Sequence, residues 1–202
     1  MKKALIIVDV QNDFCQGGAL EVPNANEVIP YINSLTEHNQ YEEVILTQDF
    51  HPANHKSFAS NNGKQVGETI ILNGKEQFMW PNHCVQGTFG AEFHQELDTT
   101  KVTKIIQKGT NPEKDNYSGF ESSSLTPTPS ELDTYLKSKN IEMVEVVGLA
   151  LDYCVKYTCL DAVKNGYITC LHFNGTKAVN VKPENGKNTI YQLIENGVTI
   201  LA

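Results

Sequence analysis

Four kinds of reactive group stand where apolar runs of this chain stop. Asp9 closes KALIIVD, Asp49 follows EVILTQ, Lys108 follows VTKIIQ, and Cys154 lies just beyond VVGLA in the stretch VVGLALDYCV, residues 146–155. If those runs are parallel strands, ligands bind outside their carboxyl ends. A carboxylate, a potential metal ligand, an ammonium and a thiol are then expected on one edge. Cys154 falls in the first turn of a helix, where unpaired N–H groups and the macrodipole favour an anion. Such a place, or a nearby cation, can lower a thiol pKa from about 8.5 to roughly 3.5–7.5. Asp9 could take the thiol proton. Each residue also has a plainer account: Cys154 as a small buried hydrophobe, Asp9 as a loop cap, Lys108 as a solvated lysine. Cys159 and Cys170 fall on apolar faces and read as core.

A second constellation is Asp49-Phe50-His51, with His83 in WPNHC. Directly after a strand, alternate residues share a face, so Asp49 and His51 turn the same way. One carboxylate and two imidazoles are a common set for zinc, iron or manganese with open positions. His55, in HPANH, reads as a surface residue rather than a fourth ligand. His38, His94 and His172 have no such context and are expected to serve structure or solvent.

The elements that must position these groups follow from periodicity. Continuous β-branched runs over 3–9, 43–48, 102–107, 144–147, 167–172 and 198–201 predict six strands. Helical patterns fall between them: Val28, Ile29, Ile32 and Leu35 after a capping box at Asn24 and Glu27, then Leu132, Tyr135 and Leu136 opened by Pro129. A third helix carries Val155, Thr158, Cys159, Ala162 and Val163 and ends at Gly166; a fourth is opened by Pro183 and ends near Gly197. Strands alternating with helices predict an α/β fold, a doubly wound three-layer sandwich whose six-stranded sheet is mainly parallel, as a single domain over 1–202. Residues 49–95 and 109–128 break the rhythm, and long irregular segments in such a domain are more often functional than decorative.

Composition narrows the partners. The 202 residues carry 16 lysines, no arginine and a net charge of −8, a poor match to nucleic acid, whose phosphates demand neutralisation. No apolar run reaches the 18 or so residues of a membrane span. The opening MKKALIIVDV is broken by Asp9 with no cleavage site after it, so a cytoplasmic location is expected. The five cysteines are odd in number with no CxxC, which favours free thiols. Oligomeric state is left open, a homo-oligomer included.

At this point the motifs ALIIVDVQNDFCQGGAL, TQDFHPANHKSFAS, WPNHCVQGTFGAEF, IQKGT, YSGFE and VVGLALDYCVKYTCLDA become specific together. In this order and at these strand ends, the chain resembles the nicotinamidase group of the isochorismatase-like cysteine hydrolases over nearly its whole length. The resemblance implies a catalytic set of Asp9, Lys108 and Cys154, metal ligands Asp49, His51 and His83, and a cis peptide between Leu149 and Ala150. It implies an oxyanion hole from the N–H groups of Ala150 and Cys154, and ring contacts from Phe14, Trp80 and Tyr117. It further implies one divalent ion, zinc ahead of iron or manganese, and hydrolysis of nicotinamide, with pyrazinamide as a second substrate, in NAD salvage. The alternative is a relative acting on another amide. Isochorismate itself, with two carboxylates, would suit an arginine fork that this chain lacks. Residues 60–78 form a longer stretch than in short relatives.

Overall fold

The computed structural model describes residues 1–38 and 40–202. Among the described residues eight strands are present: β1 Lys3–Val8, β2 Glu43–Asp49, β3 Thr69–Leu72, β4 Lys75–Phe78, β5 Lys104–Lys108, β6 Met143–Leu149, β7 Ile168–Lys177 and β8 Thr199–Leu201. Four α-helices join them: α1 Val28–Glu37, α2 Glu131–Ser138, α3 Lys156–Lys164 and α4 Asn185–Glu195. Six strands form one sheet in the order β5-β2-β1-β6-β7-β8, and every pairing in it is parallel.

Burial on both faces is why these strands read as unbroken apolar runs. Ala4, Ile6 and Val8 of β1 join a core with Leu132, Leu136, Cys159 and Leu193 from α2, α3 and α4. The alternate residues Leu5 and Ile7 join the opposite core with Val28, Ile29 and Ile32 of α1. Each fully buried side chain of this kind stabilises by about 1.5–3 kcal/mol.

Strand order reverses between β1 and β6: β2 and β5 lie to one side, β7 and β8 to the other. In open α/β sheets this switch point leaves a crevice outside the carboxyl ends, where ligands bind. Asp9 leaves β1 and Ala150 leaves β6 at that crevice. The register also pairs Asp49 directly with Lys108 on neighbouring strands.

Several sequence expectations are corrected. β5 starts at Lys104 rather than at 102 and includes Lys108 as its last residue. Asn24 and Glu27 do not form a capping box: Asn24 is left-handed with φ 60° and makes no side-chain cap, while Glu27 pairs with Lys177. Ser130, not Pro129, heads α2, its Oγ accepting from the Asp133 N–H. Pro183 precedes α4, which begins at Asn185. Ahead of α3 lies a wide π-helical turn, Leu151–Val155, so Cys154 sits in that turn rather than in an α-helical one. Residues 60–78 hold a hairpin, β3 paired antiparallel with β4. Asn73 and Gly74 at its tip have φ of 50° and 78°, the two-residue turn that Asn-Gly favours. Among the described residues no helix is long and apolar enough to cross a membrane.

Candidate active site

Asp9 follows β1 directly in a left-handed conformation, φ 49°, which costs about 1–3 kcal/mol in a non-glycine residue and persists only where the surroundings enforce it. Its carboxylate is wholly enclosed. Oδ1 accepts the Thr47 hydroxyl at 2.6 Å, and Oδ2 lies 2.8 Å from Lys108 Nζ.

Lys108, at 1% exposure, can be charged there only if paired. Its ammonium contacts Asp49 Oδ1 as well as Asp9, lies 3.4 Å from Cys154 Sγ and donates to the Asn116 carbonyl at 3.3 Å. One carboxylate oxygen each from Asp9 and Asp49 and the Cys154 sulfur lie within 4.8 Å of one another. The structure therefore brings Asp9, Lys108 and Cys154 together, and ties Asp49 to the same ammonium.

Burial dominates the titration of this group. Burial, with the Asp49 carboxylate alongside, pushes Asp9 up against the opposing pull of Lys108. For Asp49 burial acts the same way, but Lys108, His51 and His83 outweigh it and hold the carboxyl well below the usual range. Burial works against the Lys108 charge, yet Asp49 and Asp9 hold its pKa well above that of a free lysine. Cys154 is pushed well up by burial and further by both carboxylates, with only Lys108 opposing. The expectation of a lowered thiol pKa is thus overturned: a dry pocket with two nearby carboxylates outweighs the helix start and a single cation.

Asp49, His51 and His83 place one ligand atom each within 4.8 Å of the others. His51 Nε2 is 3.5 Å and His83 Nε2 3.9 Å from Asp49 Oδ2. Each ring uses Nδ1 on a backbone carbonyl, His51 on Gly109 at 2.9 Å and His83 on Pro81 at 2.7 Å. Those bonds fix Nδ1 as the protonated nitrogen and leave the Nε2 lone pairs converging on the carboxylate, the arrangement metal-binding histidines adopt. A Cβ on Gly109, φ 64°, would lie 2.3 Å from the His51 ring, so only glycine fits beneath it. The donor set can hold a metal ion with positions left open.

Neighbours that local sequence patterns did not reveal hold this set in place. The buried Gln11 amide donates to the Asp49 carbonyl and accepts its N–H, both at 2.8 Å. Asp13 Oδ2 accepts the N–H of Cys84, next to His83, at 2.7 Å. His55 is not the surface residue expected; it is fully buried, its ring 4.3 Å from that of His51. With His51 and Asp115 it forms a second group whose potential ligand atoms lie within 4.8 Å of one another. Its Nδ1 accepts the Ser57 N–H at 3.2 Å and its Nε2 meets the Lys114 carbonyl at 3.2 Å, so both nitrogens are used. His172, expected in structure or solvent, is structural, bonded to Glu145 and Tyr31.

A cavity is lined by Cys154, Ala150, Asp49 and His83 together with Phe14, Trp80 and Tyr117. Trp80 Nε1 donates to the Tyr117 hydroxyl at 2.9 Å, which sets the two rings as one wall. Asp115, Tyr153, Leu20 and Val179 complete it, and none of these four had a distinguishing local pattern. The Leu149–Ala150 peptide is cis. The Ala150 carbonyl accepts from Tyr153 and Val155, at 3.0 and 3.2 Å, which folds the turn carrying Cys154 back over the end of β6.

This is the architecture of a hydrolase with a thiol and a carboxylate at a sheet-edge crevice, and the chain belongs to the isochorismatase family, whose domain model matches residues 3–200. It is 40% identical over 200 residues to a nicotinamidase of Escherichia coli, covering 98% of this chain and 93% of that one. A solved nicotinamidase/pyrazinamidase structure from Acinetobacter baumanii superposes with a TM-score of 0.93 at 43% identity, covering 99% and 95% of the two chains. A Pyrococcus horikoshii pyrazinamidase solved in complex with zinc gives 0.80 at 35% identity, covering 100% and 99%.

Proposed function

We propose that the chain is a metal-dependent nicotinamidase, hydrolysing nicotinamide to nicotinate and ammonia through a thioester on Cys154. The observation that carries this reading is the single cavity in which the Cys154 thiol, the Asp49–His83 ligand edge and an aromatic wall face one another. The likeness to nicotinamidases over nearly the full chain supports the same substrate.

In the first half-reaction Asp9 Oδ2 accepts the Cys154 proton, and the sulfur attacks the carboxamide carbon. Lys108 holds the carboxylate and the sulfur in register and balances the charge that passes between them. The Ala150 and Cys154 N–H groups receive the oxyanion; one such donor is typically worth about 10²–10³ in rate. Asp9 returns the proton to the amide nitrogen as the C–N bond breaks and ammonia leaves. In the second half-reaction Asp9 takes a proton from water, the water oxygen attacks the thioester, and the C–S bond breaks to free nicotinate and restore the thiol. Positioned proton transfer of this kind contributes about 10²–10⁴. Phe14, Trp80 and Tyr117 sandwich the flat ring. A zinc ion held by Asp49, His51 and His83 would anchor the ring nitrogen as a Lewis acid, and zinc in the Pyrococcus relative supports that choice. Pyrazinamide, with the same carboxamide on a diazine, fits the same reading.

The test is ammonia release from nicotinamide with zinc supplied. Wild type should turn over, and Cys154→Ala should lose at least about 10³-fold in kcat/KM. Equal rates for the two proteins would refute the thioester route.

A further inference from the structure

We infer that Asp152, two residues before the nucleophile, is a positioning residue that fixes one wall of the substrate cavity relative to the Cys154 sulfur; this rests on the reading of the cavity as the substrate site. Asp152 is buried, yet its carboxylate touches neither Lys108 nor Asp9. Its two oxygens accept consecutive backbone N–H groups from the segment after β7, Oδ1 from Val179 at 2.9 Å and Oδ2 from Asn180 at 2.8 Å. Hydrogen bonds to an ionised carboxylate are about twice as strong as neutral ones, and two together fix orientation as well as distance. Val179 is a cavity wall. Asn180 is left-handed, φ 54°, and its Oδ1 accepts the Gly186 N–H at the start of α4, at 2.8 Å. A Cβ on Gly186 would meet that of Ala178 at 2.8 Å, so the segment is wedged against α4 from behind and held by Asp152 from in front.

The wide turn Leu151–Val155 makes this possible. Within three consecutive residues it sends Asp152 to the Val179 wall, Tyr153 to the aromatic wall, where its ring meets Trp80 edge-on at 4.9 Å, and Cys154 to the reacting carbon. The nucleophile and two opposing walls thus share one turn of backbone. The ring is thereby located with respect to the sulfur without any contact between Asp152 and the substrate. Loss of the clamp should loosen ring binding more than it slows bond-making.

Two measurements on the full chain test this. In Asp152→Asn, amide hydrogen exchange at Val179 and Asn180 should accelerate by about tenfold or more while Tyr153 and Val155 keep their protection. KM for nicotinamide should rise about tenfold, with kcat changed by less than about threefold. Val179→Ala should raise KM by the same route, so the double variant should fall short of the product of the singles by at least about threefold. Asp152→Glu, which keeps the charge on a longer arm, should show the same pattern in smaller measure and serves if the asparagine variant does not fold. Unchanged exchange and KM, a fall in kcat alone, or fully multiplicative effects would each overturn the inference. Exchange reads the clamp with or without turnover. A wild type inactive on nicotinamide would therefore sink the functional reading and leave the exchange result to decide this one.

Discussion

Because the Lys108 ammonium is enclosed and touches Asp9, Asp49 and Cys154 at once, removing its charge leaves two buried carboxylates facing each other with nothing between them. Breaking a buried pair by deleting one partner costs about 3–5 kcal/mol. Lys108→Met should lower stability by about that amount in urea titration of metal-free protein, and nicotinamide turnover should fall by at least about 10³-fold. A variant of unaltered stability would mean the three groups are not charged together as described. Much of this site was legible beforehand, because strand ends announce themselves as apolar runs that stop at a polar residue; Asp9, Asp49, Lys108 and Cys154 were found that way. His55 was misread because HPANH carries no apolar run, while its Nε2 meets the carbonyl of Lys114, 59 positions away. Gln11, Thr47, Asp152 and Val179 were missed for a related reason. Each acts on a residue 27 to 38 positions away, and no local period records such a pairing.

At the level of elements, Glu145 in the middle of β6 shows how a buried acid can knit strands instead of doing chemistry. Its carboxylate takes Lys3 of β1 at 2.9 Å, Tyr41 ahead of β2 at 2.6 Å and His172 of β7 at 2.8 Å, and His172 in turn meets Tyr31 of α1 at 3.0 Å. Burial alone would push its pKa up, but the bonds from His172, Tyr41 and Lys3 prevail and bring it from the usual 4.5 to about 2. The ionised form is therefore favoured by folding. Its stabilisation is present above about pH 4.5 and is lost as pH falls from there towards 2. Glu145→Gln should lower the urea midpoint at pH 7 and flatten its pH dependence across that window; an unchanged midpoint with the full acid slope would assign the slope to other groups. The six main strands were readable because each is buried on both faces. Their limits were less so, since Val102 packs beside β5 without joining its ladder. The β3–β4 hairpin was overlooked although LNGK carries the Asn-Gly signal after the apolar Ile70-Ile71-Leu72, because its strands are half-exposed and only four residues each.

For the molecule as a whole, the strand order, and with it the crevice between β1 and β6, was the part least written in local pattern. Six parallel strands admit many orders, and the choice is made by packing between distant segments. The metal set gives a whole-molecule readout. A ligand bound to the folded chain alone at 100 times its Kd adds about 2.7 kcal/mol, and for a chain of this size each kcal/mol moves Tm by about 2–4 °C. Stripping divalent ions with a chelator should lower Tm by several degrees and abolish ammonia release while the far-ultraviolet spectrum stays folded, and zinc should restore both. Full activity after verified metal removal would overturn the assignment. The hairpin carries a last consequence. It is stitched to the 111–117 segment through Asn73 to the Glu113 carbonyl at 2.6 Å and Gln77 to Asp115 at 3.0 Å, and it leads straight into Trp80. The hairpin thus braces Trp80 and Asp115 of the cavity wall from outside that wall, so exchanging it should retune ring selectivity while the machinery of turnover stays untouched.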